Sequence, residues 1–129
     1  MSASAKGQDM RVPNDPNTLA ARWGLVAVAP EDNELQLDID EPLDHEVVDR
    51  MLAVLEAHDI PCEVVRAAPS KSGNFHITMR IEWPRRLDPV TRIALQACFG
   101  SDRKRELLSL LRHEFKTQTP PTVFFEVAS

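Results

Sequence analysis

Two carboxylates separated by one residue are the first chemistry this chain offers. Leu35-Gln-Leu-Asp-Ile-Asp40 alternates strictly between apolar and polar, and alternate side chains of a β-strand share a face. Leu35, Leu37 and Ile39 then point one way, and Gln36, Asp38 and Asp40 the other. Two acids on one strand face, with Cα atoms about 6–7 Å apart, repel unless a cation or a proton intervenes. Oxygen ligands at that separation suit a hard divalent ion, Mg2+ or Mn2+. The same spelling also describes an ordinary half-buried strand with a solvated acidic face, because an isolated Asp-x-Asp is a weak motif.

Three other stretches add groups that a phosphate would use. Ser70-Lys-Ser-Gly-Asn74 reads as a turn that offers backbone N–H groups, hydroxyls and the Lys71 cation just before His76. Phe75, Ile77, Met79, Ile81 and Trp83 alternate with His76, Thr78, Arg80 and Glu82, the cleanest strand pattern in the chain. Arg103-Lys104-Arg105 falls in the first turn of a helix, where positive charge opposes the macrodipole and a bound anion would offset the conflict. Long basic side chains reaching into water are the plain alternative. Phe124 and Glu126 share one face of a final strand, opposite Val123, Phe125 and Val127.

The elements that must position these groups follow from periodicity and punctuation. Residues 1–17 read as a flexible tail, and residues 18–129 as one domain. Thr18–Trp23 reads as a helical turn. Gly24–Ala29 is apolar on both faces and reads as a buried strand, joined to Leu35–Asp40 as a hairpin through Pro30-Glu-Asp-Asn33. Pro42 and Asp44 open a helix whose apolar face holds Val47, Val48, Met51, Leu52, Val54 and Leu55, and Pro61 stops it. Cys62–Ala68 is a short strand. Asp88-Pro89 starts another helix, with Val90, Ile93, Ala94, Ala97 and Cys98 inward and Gly100 just past its end. Ser101 or Asp102 caps a last helix, with Leu107, Leu108, Leu110, Leu111 and Phe115 inward. Trp83 and Cys98 read as packing residues. The order β-β-α-β-β-α-α-β predicts an α+β fold close to the RNA-recognition-motif (RRM-like) or ferredoxin-like plan, with helices on one sheet face and an open polar face. Parity along the strands gathers Asp38, Asp40, His76, Thr78, Arg80 and Glu126 on that open face.

Bulk composition narrows the classes. The chain has 129 residues, 43% apolar and 27% charged, with a net charge of −5. That balance argues against gross adhesion to nucleic acid while leaving room for a local basic patch. Two widely spaced cysteines and four dispersed histidines make a zinc site or disulfide framework unexpected, with reduced thiols in the cytoplasm as the default. No apolar run reaches transmembrane length, and the N-terminus has no signal-peptide layout. The chain has no tyrosine, which removes tyrosine-nucleophile chemistry.

Taken together, the motifs resemble the archaeo-eukaryotic primase superfamily. Leu37-Asp38-Ile39-Asp40 is similar to its first motif, Ser72-Gly73-Asn74-Phe75-His76 to its second, and Phe124-Phe125-Glu126 occupies the place of its third. The order of motifs is also the family's, over about 90 residues of a minimal catalytic core. The resemblance implies that Asp38, Asp40 and Glu126 hold divalent metal (Mg2+ or Mn2+) and that Ser72 and His76 contact the phosphates of a nucleoside triphosphate. It implies attack of a primer 3′-hydroxyl on an α-phosphate over a single-stranded DNA template, in a small phage- or plasmid-type primase or a subunit working beside a helicase or accessory chain. Lys71, Arg80 and Arg103 to Arg105 are further expected triphosphate or template contacts.

Two rival readings come from the same residues. An inactive RRM-like domain would bind single-stranded nucleic acid or a replication partner, although such sheets stack bases on exposed aromatics and only Phe124 is expected on this face. A two-histidine phosphoesterase would use His76-Ile-Thr78, but none of His45, His58 and His113 supplies the second half of that motif.

Overall fold

The computed structural model describes residues 24–39, 45–69 and 74–127. Its elements are β1 (Leu25–Val28), β2 (Glu34–Ile39), α1 (His45–Ala57), β3 (Cys62–Pro69), β4 (Phe75–Ile81), α2 (Pro89–Cys98), α3 (Arg103–Phe115) and β5 (Phe124–Val127). The fold is α+β in the expected order, and its antiparallel sheet with helices against one face is compatible with a ferredoxin-like arrangement. The expected tail and the Thr18–Trp23 turn lie outside the described residues. Two compact units are present. One spans residues 29–124, and the smaller contains β1 and residues 125–127.

In the larger unit, β4 runs between β2 and β3, antiparallel to both. The alternation seen in the sequence sets its two faces. Leu35, Leu37, Met79 and Ile81 are at most 1% exposed, and with Ile39, Ile77, Val48, Leu55, Leu95 and Phe99 they form one core. Trp83 packs against that core, as expected. Opposed residues in an antiparallel ladder share a face, so Glu34, Gln36 and Asp38 stand across from Arg80, Thr78 and His76 on the other side.

Helix ends follow their local chemistry. Asp88 caps α2 by accepting the Thr91 N–H at 2.8 Å, with Pro89 at the first helical position. Gly100, at φ +91°, lets the Gly100 and Ser101 N–H groups return to the carbonyls of Ala97 and Gln96. Asp102 caps α3, and Lys116 ends it in the left-handed conformation. For α1 the stop is Asp59, also left-handed at φ 57°, ahead of Pro61.

Five expectations are corrected. β1 pairs with β5 rather than forming a hairpin with β2, and it is not a buried strand, since Val26 and Val28 are exposed. On α1, Val47 and Val54 face solvent while Val48 and Leu55 are buried. The inward stripe of α2 is Ile93, Leu95 and Gln96, whereas Val90, Ala94, Ala97 and Cys98 are exposed. The largest reversal is in α3. Leu107, Leu108, Leu110, Leu111 and Phe115 (76% exposed) all face outward, and Glu106 and Ser109 are buried instead.

The outer edge of β2 explains these rotations. An edge strand presents unpaired N–H and C=O groups, and burying them without partners is costly. Here every outward group from the Glu34 carbonyl to Asp38 has one. Arg92 Nε donates to the Glu34 carbonyl at 2.9 Å. The Gln36 N–H donates to Gln96 Oε1 at 2.8 Å, and Arg105 donates to the Gln36 carbonyl. The Asp38 N–H donates to Ser101 Oγ at 2.9 Å, and the Asp38 carbonyl accepts the Asp102 N–H at 2.7 Å. The polar side of α2 and α3 therefore turns inward because the sheet edge requires it, and the leucines of α3 are left outside.

Candidate functional site

Asp38 and His76 face each other across the β2–β4 ladder. Facing residues in such a pair have Cα atoms about 4.5–5.5 Å apart, within reach of a shared ligand. Both backbone groups of Asp38 are tied to the start of α3, so the strand is fixed and the carboxylate is free to serve another purpose. Its Oδ1 is buried and has no hydrogen-bond partner. A buried carboxylate oxygen left unsatisfied is costly, and a cation or a proton donor would relieve it.

The His76 imidazole is held by packing. It lies parallel to the Phe124 ring with centroids 4.0 Å apart, and the Arg105 guanidinium carbon sits 5.0 Å from the same ring centroid. Phe124 thus joins His76 to the buried network, and it is only 4% exposed. It offers no stacking platform for a base, which weighs against the single-strand-binding alternative.

Arg105 is committed to structure. It bonds the Gln36 carbonyl, reaches the Val123 carbonyl at 3.0 Å and pairs with Glu106 at 2.7 Å; the two side chains are 12% and 5% exposed. The guanidinium of Arg105, an expected triphosphate or template contact, is thereby engaged by groups of its own chain. Arg103 and Lys104 are exposed in the first turn of α3. Arg80 stands apart from His76, four residues or about 13 Å along the strand, and reaches Glu63 at 3.4 Å. There it borders an open cavity of about 690 Å³ whose carboxylates, Glu56, Asp59, Glu63 and Glu82, would repel a triphosphate. The structure therefore does not bring Arg80 together with His76.

Asp40, Lys71 and Ser72 lie outside the described residues. Glu126 is half-buried in β5. Among the described residues no three His, Cys, Asp or Glu side chains gather as a metal-binding group. The buried network of Gln36, Gln96, Glu106 and Thr122 was missed in the sequence, although Arg105, Glu106, Ser109 and Arg112 recur at helical spacing as a polar stripe that reads as a solvent face. No helix among the described residues is long and apolar enough to cross a membrane. Comparison with known proteins returns no matching family model, no matching curated protein and no matching solved structure.

Proposed function

We propose that the Asp38–His76 face is a divalent-metal-dependent nucleotide site of a primase-like nucleotidyltransferase acting in the cytoplasm. The observation that carries this reading is the unpartnered, buried Asp38 Oδ1 directly across from His76. That oxygen suits a hard cation, and Asp40, two residues on, adds the carboxylate that the motif resemblance calls for. Bound metal would supply charge neutralisation beside a triphosphate. Asp38 would hold the ion, and His76, kept in place by Phe124, would donate from its ring to a phosphate oxygen. Exposed Arg103 and Lys104 are proposed template contacts, and Lys71, Ser72 and Glu126 are proposed participants through the resemblance alone.

Calorimetric titration with a nucleoside triphosphate, with and without Mn2+, tests the site. Metal-dependent binding that is lost in Asp38→Asn and weakened in His76→Ala is expected. Absence of metal-dependent heat in the wild-type chain overturns the reading. A primer-synthesis assay on single-stranded DNA then separates catalysis from binding alone, with Glu126→Ala as an independent variant of the third motif.

A further inference from the structure

Strand β3 is the second edge of the three-stranded sheet, and among the described residues its outer side has no strand partner. Val64 stands opposite Met79 on the helix-packed side of the sheet, yet it is 46% exposed while Met79 is wholly buried. The core therefore runs out at this edge with apolar surface still open to water.

A bulge gives the strand a self-complementary spelling. Glu63 is opposite Arg80, Val64 opposite Met79 and Arg66 opposite Thr78, so the ladder skips Val65. In an unbroken strand, Glu63 and Arg66 would point to opposite faces. With one residue bulged out they share the polar face, flanking Val64 symmetrically. A second copy laid antiparallel about a two-fold axis at Val64 then meets a complementary order of side chains. Glu63 faces Arg66 of the other copy, Val64 faces Val64, and Arg66 faces Glu63. On the helix side, Cys62 meets Ala67, two small residues that let the strands approach.

We propose that β3 pairs with β3 of a second copy of this chain about that two-fold axis, continuing the sheet through both copies. The two symmetric Glu63–Arg66 pairs fix register, and the Val64 contact buries the open end of the core. Opposite charges placed face to face in neighbouring strands favour the pairing and like charges oppose it. Glu63 already leans on Arg80 at 3.4 Å within its own chain, which places the carboxylate on the face the pairing needs. A seam of one strand pair buries less than the roughly 1,000 Å² of a tight interface, so the association is weak and reversible and follows protein concentration.

Sedimentation equilibrium of the full chain, from micromolar to millimolar, reads the assembly. A reversible dimer is expected. Arg66→Glu should weaken it about tenfold, because two attractive pairs become repulsive, and adding Glu63→Arg should restore it. A second variant reads the axis directly. Val64→Cys with Cys62→Ser and Cys98→Ser should form a disulfide between copies under mild oxidation, since residue 64 faces itself. A monomer throughout the range overturns the proposal, as does a dimer that ignores Arg66→Glu, one that the charge swap fails to restore, or absence of the Val64→Cys cross-link. A dimer dissolved by Leu108→Glu but unaffected by the β3 changes would place the interface on α3 and overturn it equally.

Discussion

The side-chain oxygen of Gln96 accepts the backbone N–H of Gln36 at 2.8 Å, while the amide nitrogen of Gln96 donates to Glu106 at 2.9 Å. One buried glutamine, 0% exposed, thus closes a sheet edge and anchors the acid of a buried ion pair. Gln96→Leu keeps the volume and strands both partners. A loss of about 2–4 kcal/mol in unfolding free energy is expected, measured by urea denaturation.

The Arg105–Glu106 pair is equally sensitive to losing one member. Glu106→Ala leaves the Arg105 guanidinium and the Gln96 amide short of a partner in a buried setting. Breaking a buried pair from one side costs about 3–5 kcal/mol. Glu106→Gln, which keeps an acceptor for Gln96, should lose less, and the difference between the two denaturation midpoints reports the charge.

The outward leucines of α3 predict the opposite behaviour. Leu108→Gln should change stability by no more than about 0.5 kcal/mol, since that side chain is half exposed. Leu37→Ala, at 0% exposure, should cost about 2–5 kcal/mol. Comparable costs at the two positions would mean that α3 is oriented as its leucine spacing implies.

Acid should weaken the start of α2. The Thr91 N–H bonded to Asp88, followed by Arg85, holds that carboxyl well below the usual carboxylate range. Its stabilising contribution is therefore complete above the unfolded value of about 3.9 and is lost as pH falls from there toward the folded value. Thermal scans from pH 6 down to pH 2 should show a smaller fall in melting temperature for Asp88→Asn than for the wild-type chain.

The two thiols should react at different rates. Burial, aided by Glu63, pushes the Cys62 thiol up to about 11, so it holds almost no thiolate near neutral pH. Cys98 is exposed at the end of α2. Alkylation by iodoacetamide followed by mass spectrometry should mark Cys98 first, with Cys62 modified only at strongly alkaline pH or on unfolding. Equal rates at neutral pH would contradict this packing around Cys62.

Local features of the sequence determined a good part of this protein. Strict alternation in Leu35–Ile39 and Phe75–Ile81 established both strands and which side of each joins the core, because side-chain parity is a property of the strand alone. Asp88-Pro89, Asp102 and Gly100 marked helix boundaries for an equally local reason, the unsatisfied groups of helix ends. That Asp38 and His76 share a face was also legible from parity, whereas their direct opposition came from the strand order, with β4 beside β2. What the sequence could not reveal was the price of an uncovered sheet edge. Only in three dimensions do the backbone groups of Gln36 and Asp38 meet Gln96, Ser101 and Arg105, and that demand turned α2 and α3 against their own apolar spacing. The same contacts withdrew Arg105 from solvent and buried Phe124 against His76. Hydrophobic periodicity says which side of a helix is apolar; the hydrogen-bonding needs of a neighbouring strand decided which side faces in.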